Sequence, residues 1–514
     1  MIQWKDILNN AKMIRNYRTS YRPRKDKRIT RLWLEKPVLK TANLTPGTGI
    51  IVSIKEAALK QSEDKVVAVP VVHIRAAMNV EVPTNSIAQK NGNPILDIAN
   101  TEIDSALGVN IKLDIVVKSN QEIYVYRELS FEMVSFGDKP KYCSDHLQKY
   151  RVISLFCGSG GMTAGLINTQ ACESVFALDV DVLEQNPYSY SLEDKEPNYN
   201  AWAVEAFRDN FPDTLFYWGE IQSVHDIYIP KADIVCISPP CTEFSLLGGR
   251  MEGLIEHFVF HIARIVIKSE ARALFIENVE NYFRSETFQQ LKRLLAPHFT
   301  YWYQENIDSY DYGSLDSRKR GYAVALKEES GFRFPKPVKT PLSRRKKVKD
   351  YLLSKEDRKW LPIEGTAMEN IVGEHRIKYN HTNFTSDHNA TLVSYNDIRI
   401  SCITKGYNSI KPTQSYLLHP DGDKWSKFTP EEIKNILHYP QWFHFPSEIP
   451  TTRYYELLGN SVNIRAIEAI ASQLVCALME CDIKRQVQQQ SNSREQEDRF
   501  AFEQSASGQL GFVI

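Results

Sequence analysis

The stretch YRVISLFCGSGGMTAGL, residues 150–166, runs from an apolar segment through a glycine-rich turn into a helical pattern. This order is typical of a parallel strand that leads into its crossover helix in an α/β protein. Glycine at the turn lets the backbone approach a ligand closely. The stretch therefore predicts the first strand of a doubly wound sheet, with a ligand-binding turn at its end.

Six further apolar runs follow, and helical patterns separate most of them. Near-continuous apolar runs of this kind indicate parallel strands that are buried on both faces of a sheet. We therefore predict an α/β, doubly wound, Rossmann-like domain in which ligands bind beyond the carboxyl ends of the strands. The runs are SVFALDV (174–180), TLFYWGE (214–220), ADIVCIS (232–238), ALFIENV (273–279), TYWYQENI (300–307) and GYAVAL (321–326).

The rest of the chain lacks this alternation. The first part is rich in β-branched and aromatic runs, which predicts a separate β-rich domain. A polar, irregular region interrupts the α/β domain, and a polar tail follows it that we expect to be disordered. The predicted units are 1–147 (β-rich), 148–330 (α/β), 331–425 (irregular), 426–484 (return to α/β) and 485–514 (tail).

Composition points to a globular protein inside a cell. Of the 514 residues, 42% are apolar and 25% are charged, the usual balance of a globular domain. No run reaches the roughly 18 uncharged apolar residues of a membrane helix, and the N-terminus lacks the pattern of a signal peptide. None of the eight cysteines forms a CxxC pair. We expect a cytoplasmic protein with no membrane contact and no metal.

Basic residues are unevenly distributed although the formal net charge is zero. Residues 1–40 contain twelve Lys and Arg against three Asp and Glu, and a second basic cluster, KPVKTPLSRRKKVK, occupies 336–349. Phosphate contacts supply much of the affinity of nucleic-acid-binding proteins, so both clusters suit a polyanionic partner. A solvated charged face or a flexible arm explains each cluster equally well on its own.

Gly158, Gly160 and Gly161 lie in the turn after the first run, and Asp179 lies near the end of the next run. A nicotinamide-binding fingerprint would have glycine at 163, where threonine stands, and a P-loop would have Gly-Lys-Ser/Thr. An acid at the end of the second strand can accept hydrogen bonds from both ribose hydroxyls. The pair predicts a cofactor that contains a nucleoside; a glycine turn that serves packing alone is the alternative.

Cys241 lies in SPPCTEFS, residues 238–245, directly after an apolar run. Two prolines cannot continue a strand, so this thiol is expected at the ligand-binding edge of the sheet. An exposed thiol in such a position can act as a nucleophile. Taken alone, a cysteine in this position is more often inert.

Three further polar motifs are expected at the same edge. Glu277 and Asn278 end the run ALFIENV, where a carboxyl group can donate a proton to a ring nitrogen. Arg318 and Arg320 precede GYAVAL and can hold a phosphate or a polarised carbonyl oxygen. The segment LLGNSVN, residues 457–463, indicates a tight polar turn before a helix.

The five motifs LFCGSGG, SPPCTEFS, ENV, DSRKR and RYYELLGNSV stand in an order that resembles the DNA cytosine-C5 methyltransferase family. The resemblance covers about 150–330 and 426–480. It implies transfer of a methyl group from S-adenosylmethionine (S-adenosyl-L-methionine), the cofactor, to C5 of cytosine in a specific sequence of double-stranded DNA. It further implies a restriction-modification system with a cognate restriction endonuclease, and a target-recognition domain at 331–425.

The resemblance also implies a role for each candidate catalytic residue. The Cys241 thiolate would add to C6 of a cytosine that is flipped out of the duplex, which makes C5 nucleophilic. Glu277 would donate to N3 and bind the exocyclic amine, and Asn278 would brace the loop that carries the thiol. Arg318 and Arg320 would hold the flipped nucleotide by its carbonyl oxygen or phosphate.

For the cofactor, the resemblance implies a position along the same edge, with the sulfonium at the glycine turn and the ribose at Asp179. Adenine would lie against Phe156 and near Glu220. The methionine end would reach Asn460 and Ser461. The full implied set is Phe156, Gly158, Gly160, Gly161, Asp179, Glu220, Pro239, Asn460 and Ser461.

The chain departs from the family pattern at several positions. Thr242 stands where the family usually has Gln after the cysteine, and Leu-Asp at 315–316 replaces Pro-Gln. Ser154 and Glu220 replace two aspartates of the pattern. The loop LLGGRMEGLIEHFVF, 246–260, lacks the family's Asp-x-Arg-Gly element, so the resemblance does not imply how this loop closes over a base.

Two other functions are open at this point: an RNA (tRNA) cytosine-C5 methyltransferase, and a non-catalytic DNA-binding relative. The long variable region and the basic N-terminal part favour duplex DNA, and the intact motifs speak against lost activity. The role of 1–147 is also open, with DNA binding, structure and a protein partner as alternatives. A short helical pattern over 2–17 begins this part of the chain.

Overall fold

The computed structural model describes residues 2–506 apart from several segments. Outside the described part are residues 1, 19, 25–26, 63–64, 79, 91, 100, 109–110, 130–148, 181–200, 241–255, 339, 354–357, 373–390 and 507–514. The strands are β1 (Ile2–Gln3), β2 (Ala11–Arg18), β3 (Ser20–Arg24), β4 (Lys27–Leu34), β5 (Gly49–Ser62), β6 (Lys65–Ala76), β7 (Asn85–Ser86), β8 (Ala88–Lys90), β9 (Asn93–Ala99), β10 (Lys112–Lys118), β11 (Glu122–Arg127), β12 (Tyr150–Leu155), β13 (Cys172–Asp179), β14 (Leu215–Trp218), β15 (Ile234–Ile237), β16 (Ala273–Asn278), β17 (Tyr301–Asp308), β18 (Asp316–Ser317), β19 (Lys319–Leu326), β20 (Leu361–Pro362), β21 (Leu392–Val393), β22 (Ile400–Ser401), β23 (Tyr416–Leu418) and β24 (Lys424–Ser426). The α-helices include α1 (Trp4–Leu8), α2 (Lys36–Thr41), α3 (Thr101–Leu107), α4 (Gly161–Ile167), α5 (Trp202–Asn210), α6 (Glu256–Lys268), α7 (Glu286–Leu295), α8 (Pro430–Ile436), α9 (Thr451–Asn460) and α10 (Ile464–Ala506).

One sheet of 14 strands runs through the molecule. Its order is β1-β5-β6-β11-β10-β2-β14-β13-β12-β15-β16-β19-β17, and β7 pairs with β5 outside this path. The half from β14 to β17 contains the seven apolar runs of the sequence, and each run forms a strand. Helices α4 to α7 connect strands of this half. The predicted α/β, doubly wound, Rossmann-like fold is confirmed.

The strands β14, β13, β12, β15 and β16 are parallel, so their carboxyl ends meet at one edge of the sheet, the carboxyl edge. The sequence predicts parallel strands throughout, but β19 runs antiparallel to both of its neighbours, β16 and β17. Only residues 309–318 separate β17 from β19, and a parallel connection needs a dozen or more residues. Because β19 is reversed, it begins at the carboxyl edge.

The N-terminal strands extend this sheet, whereas the sequence treats 1–147 as a separate domain. β2 pairs in parallel with β14, with Met13 opposite Phe216 and Ile14 opposite Tyr217. Met13 packs into the apolar core on one face of the sheet, and Ile14 packs into the core on the other face. Both cores therefore continue across the junction between the two parts.

The strand β2 forms where the sequence predicts a helix over 2–17. Helix α1 ends at Leu8, and β2 begins at Ala11. Between them Asn10 has a φ of 59°, in the left-handed region that asparagine tolerates better than most residues. Pairing with β10 and β14 on its two sides then stabilises the extended conformation. Tertiary pairing thus overrides the local pattern, and the helix prediction is wrong after Leu8.

The irregular region contains a small sheet of four short strands in the order β20-β24-β23-β21. β22 pairs instead with β18, which directly precedes β19. The start of β19 lies at the carboxyl edge, where Gly321 is opposite Asn278. The β18–β22 pair therefore joins the irregular region to this edge.

Helix α10 continues through much of the tail. It extends to Ala506, so the expectation of disorder from residue 485 is wrong up to this point. Glu, Gln and Arg are frequent in this stretch and are good helix formers. The stretch Thr451–Gln489, which contains α9 and the first part of α10, is long and apolar enough to cross a membrane. However, 61% of its most apolar 18-residue segment is buried inside the protein. This degree of burial is typical of a core helix.

A buried carboxyl group lies where the N-terminal strands meet the other half of the sheet. Asp114 Oδ1 accepts a hydrogen bond from Asn16 Nδ2 at 2.7 Å, and Asp114 Oδ2 accepts one from the Tyr228 hydroxyl at 2.7 Å. Burial raises the pKa of Asp114 to about 7, although these hydrogen bonds favour its ionised form. The junction therefore holds a group that titrates near neutral pH.

Replacement of Asp114 by Asn should weaken the pH dependence of stability. The folded protein keeps the Asp114 proton up to a pH of about 7, whereas an unfolded aspartate releases it near a pH of about 3.9. The contribution of Asp114 to the free energy of unfolding therefore falls by up to about 4 kcal/mol as the pH rises between these values. Above the higher value, this contribution no longer changes with pH. Chemical denaturation at pH 5 and pH 8 should give a smaller difference in unfolding free energy for Asp114→Asn than for the wild type. The exposed Asp213→Asn is the control, and an unchanged difference in Asp114→Asn would contradict the prediction.

Candidate active site

The turn after β12 has the backbone geometry of a ligand cradle. Gly158 and Gly160 have φ values of +53° and +96°, in the left-handed region that favours glycine, and Phe156 has a φ of 57°. A Cβ added to Gly158 would meet no atom within 4 Å, whereas one added to Gly160 would come within 2.6 Å of the Phe211 ring. The turn therefore has open space at Gly158 and close packing at Gly160.

Two acids lie beside this turn, at the carboxyl ends of β13 and β14. Asp179 Oδ2 accepts a hydrogen bond from Gly158 N at 2.7 Å. Gly219 N donates to Asp179 O at 3.1 Å, so Glu220 follows directly after the adjacent strand end. The Glu220 side chain is half exposed, and its Oε2 accepts from Lys112 Nζ at 2.8 Å. The predicted cofactor residues of the two strands are therefore neighbours.

Glu277 is buried at the end of β16 and has two polar neighbours. Its Oε2 accepts a hydrogen bond from Ser238 Oγ at 2.7 Å, and its Oε1 lies 3.4 Å from Arg320 Nε. Ser238 is not among the predicted site residues. The available signal was its place at the end of the apolar run that precedes the run of Glu277, because Ser238 directly follows the buried strand β15 and Glu277 lies near the end of the buried strand β16.

Asn278 anchors the segment that leads to Cys241. Its Nδ2 donates to Pro239 O at 3.0 Å, and its Oδ1 accepts from the next backbone N–H at 2.7 Å. Pro239 is buried and Pro240 is exposed, so the chain reaches the surface of the sheet edge here. Cys241 lies outside the described residues, together with the rest of 241–255, and the position of its thiol stays a prediction.

The two arginines of DSRKR have different surroundings, whereas the sequence predicts that both face one ligand. Arg318 is 4% exposed, and its guanidinium group donates to Ile403 O at 3.0 Å and to Gly459 O at 3.3 Å. Arg320 lies against Glu277. The donors of Arg318 bind backbone carbonyl groups of two distant segments, so the two arginines do not share the same neighbours.

Asn460 and Ser461, at the end of α9, differ in exposure. Asn460 is exposed, whereas Ser461 is buried and its hydroxyl is hydrogen-bonded to that of Tyr439. A Cβ added to Gly161 would come within 2.5 Å of Ser461 Oγ, so α4 packs directly against this turn. Tyr439 carries no signal in the sequence that sets it apart from the other aromatic residues.

The basic cluster at 336–349 lies near the β18–β22 pair. The Arg345 guanidinium carbon is 3.9 Å from the centre of the Tyr310 ring, and that of Arg399 is 4.6 Å from the same centre. Arg399 also donates to Ser317 Oγ at 2.6 Å. Arg399 also pairs with Asp308, at 3.3 Å. The exposed cations of this part of the surface include Arg344, Lys346 and Lys349.

In the described part of the chain, one group of side chains has the spacing of metal ligands. The ligand atoms of His419, Asp421 and Asp423 lie within 4.8 Å of one another, between β23 and β24. Both aspartates are exposed, and exposed acidic groups are common without a metal. We assign no metal to this group.

The fold and the polar residues of the carboxyl edge are those of one class of protein, the α/β methyltransferases. In this chain the edge has a glycine turn, two acids, and a buried carboxyl group beside the SPPC segment. The family of C-5 cytosine-specific DNA methylases matches residues 150–476, more than half of the chain. The chain belongs to this family. It is therefore a DNA cytosine-5 methyltransferase, and the methyl donor of its family is S-adenosylmethionine.

Curated relatives cover about two thirds of the chain. The type II methyltransferase M.SsoII of Shigella sonnei is 28% identical over 359 residues, which are 67% of this chain and 85% of the relative. The type II methyltransferase M.HhaI of Haemophilus parahaemolyticus is 26% identical over 372 residues, 67% of this chain and 98% of the relative. Among solved structures, the S. pombe Dnmt2 methyltransferase has a TM-score of 0.49 and 20% identity, over 64% of this chain and 98% of that one.

Replacement of Arg318 by Met should destabilise the protein. The change leaves the carbonyl groups of Ile403 and Gly459 buried without this donor, and each such loss costs about 1–3 kcal/mol. We expect the free energy of unfolding, from chemical denaturation, to fall by about 3 kcal/mol. Arg453→Met is the control: it removes a partly exposed ion pair with Glu456 and should cost less than about 1 kcal/mol. Equal effects of the two changes would show that Arg318 does not brace the two segments.

Proposed function

We propose that this methyltransferase is the modification enzyme of a type II restriction-modification system and acts on cytosine within a specific sequence of double-stranded DNA. The observation that carries the proposal is the hydrogen-bonded group at the carboxyl edge. Glu277 is bonded to Ser238 there, and the Asn278–Pro239 bond anchors the segment that leads to Cys241. A buried carboxyl group and the segment that leads to the proposed nucleophile are therefore at the edge that carries the glycine turn.

The residues beside the glycine turn have the chemistry that S-adenosylmethionine requires. The open space at Gly158 suits the sulfonium end, and the Asp179 carboxylate suits the two ribose hydroxyls. Glu220 would accept a hydrogen bond from the adenine amino group, and Phe156 would pack against the adenine ring. When bound, the cofactor would supply an electrophilic methyl group. The other proposed contacts are Gly160, Gly161, Pro239, Asn460 and Ser461.

Cys241 would supply the nucleophile. C5 of cytosine is too electron-poor to attack a methyl group, so the Cys241 thiolate first adds to C6 and pushes electron density toward C5 and N3. Glu277 donates a proton to N3 as negative charge develops there. After methylation, a water molecule takes the C5 proton, N3 returns its proton to Glu277, and expulsion of the thiolate restores the aromatic ring and the free enzyme.

The neighbours of Glu277 fix the orientation of its carboxyl group. Ser238 donates to one carboxyl oxygen and Arg320 lies beside the other, so the group is held in one orientation at the edge. Arg320 would also hold the carbonyl oxygen or phosphate of the flipped nucleotide. We assign Arg318 a supporting role, because its contacts join the β18–β19 segment to α9 and to the chain after β22.

The DNA would approach along the surface around Tyr310, where several exposed cations lie. Arg345, Arg399 and the exposed cations of 336–349 are suited to phosphate groups, and 331–425 is the proposed target-recognition domain. The target base must leave the duplex stack to reach Cys241. We further propose a cytoplasmic location and a cognate restriction endonuclease that reads the same sequence without forming a stable complex.

Cys241→Ala should abolish methyl transfer to duplex DNA, because no electron pair then reaches C6. Transfer of a labelled methyl group from S-adenosylmethionine to duplex DNA and to tRNA measures this, and bisulfite sequencing identifies the target site. The exposed Cys476→Ser on α10 is the matched control and should stay active.

Three other outcomes would each contradict a different part of the proposed function. Methylation of DNA by Cys241→Ala would exclude the covalent mechanism. Methylation of tRNA in place of duplex DNA would contradict the DNA substrate. Inactivity of the wild type on both would support a non-catalytic relative.

A further inference from the structure

The N-terminal strands contact residues 217–223. This segment begins at the end of β14 and contains Glu220, at the proposed adenine end of the site. The Arg15 guanidinium carbon lies 3.6 Å from the centre of the Trp218 ring. A Cβ added to Gly219 would come within 2.6 Å of Asn16 Cβ, so β2 leaves no room for a side chain at this position. The backbone that leads to the proposed adenine contact is therefore packed against the N-terminal part of the chain.

Lys112, the first residue of β10, reaches the end of this segment. Its Nζ donates to Glu220 Oε2 at 2.8 Å and to Ser223 Oγ at 3.0 Å. β10 is itself paired with β11 on one side and with β2 on the other. One N-terminal side chain thus connects both ends of the turn that carries Glu220.

This ion pair contributes little to the stability of the fold. The Lys112 side chain is 30% exposed and that of Glu220 is 52% exposed, and such pairs are worth about 0–1 kcal/mol. Its location is more informative. Glu220 stands beside Asp179 at the carboxyl edge, and Lys112 binds one of the two oxygens of its carboxylate.

We propose that Lys112 is a positioning residue of the cofactor site: it holds Oε2 of Glu220 and thereby directs the other carboxylate oxygen toward the amino group of adenine. The inference rests on the proposed role of Glu220. It gives the residues before 150, which the family match does not include, a part in cofactor binding. The N-terminal strands then form a wall behind the adenine end of the site.

Loss of Lys112 would leave the Glu220 side chain to sample several rotamers in solvent. Binding would have to order it again, which weakens affinity. The defect should be confined to ligands with a 6-amino group, because a 6-oxo group cannot donate to Glu220. The chemical step at C5 should proceed as before, since Lys112 contacts none of the proposed catalytic residues.

Isothermal titration of the full chain with S-adenosylhomocysteine, and with its analogue that carries a 6-oxo base, tests this. For Lys112→Met we expect about five- to tenfold weaker binding of the 6-amino ligand and little change for the 6-oxo ligand. KM for S-adenosylmethionine should rise by a similar factor while kcat on DNA stays near the wild-type value. Lys112→Arg should restore most of the affinity. Lys12→Met removes an exposed ion pair with Asp213 at the same junction and should bind like the wild type.

Several results would overturn the inference. These are unchanged or tighter binding by Lys112→Met, equal weakening for both ligands, and an equal loss in Lys12→Met. The Glu220→Ala variant distinguishes failure of the inference about Lys112 from failure of the proposed function. If it too binds normally, Glu220 does not contact adenine; if it binds weakly while Lys112→Met does not, only the role of Lys112 fails. Thermal unfolding of each variant checks that it is folded.

Discussion

The parallel register that brings the ends of β13, β12, β15 and β16 to one edge is the constraint on which the site depends. The interiors of these strands are largely buried, so the sheet fixes the backbone of the residues that follow them. Asp179, the glycine turn, Ser238 and Glu277 are far apart in the sequence and become neighbours only through this register. A slip of one residue would turn the side chains of a strand to the opposite face.

In the same sheet, the N-terminal strands cover what would otherwise be an exposed edge. Without β2, the strand β14 would be an edge with unpaired backbone groups, which proteins generally cover or shorten. Because β14 also leads to Glu220, the strand that covers this edge also supports one end of the proposed cofactor site. Packing at the junction and the geometry of that site are thereby coupled through a single strand.

The sequence predicts the seven strands of the α/β half because each is a distinct apolar run, and it predicts which polar motifs lie at the carboxyl edge because they stand at the ends of those runs. It could not predict β2, since most of this strand falls in the helical pattern over 2–17 and only pairing with β10 and β14 decides its conformation. Nor could it separate Arg318 from Arg320. The guanidinium group of Arg318 binds a carbonyl group 85 residues further along the chain, and no local pattern carries that information.

The central claim is that Cys241 forms a transient bond to C6 of a flipped cytosine while Glu277 protonates the same ring. The most direct measurement uses duplex DNA with 5-fluorocytosine at the target position, together with S-adenosylmethionine. Fluorine at C5 cannot leave as a proton does, so the adduct should persist. We predict a protein–DNA complex that survives denaturation and that mass spectrometry maps to the peptide containing Cys241. Absence of such a complex, or attachment at another residue, would contradict the claim.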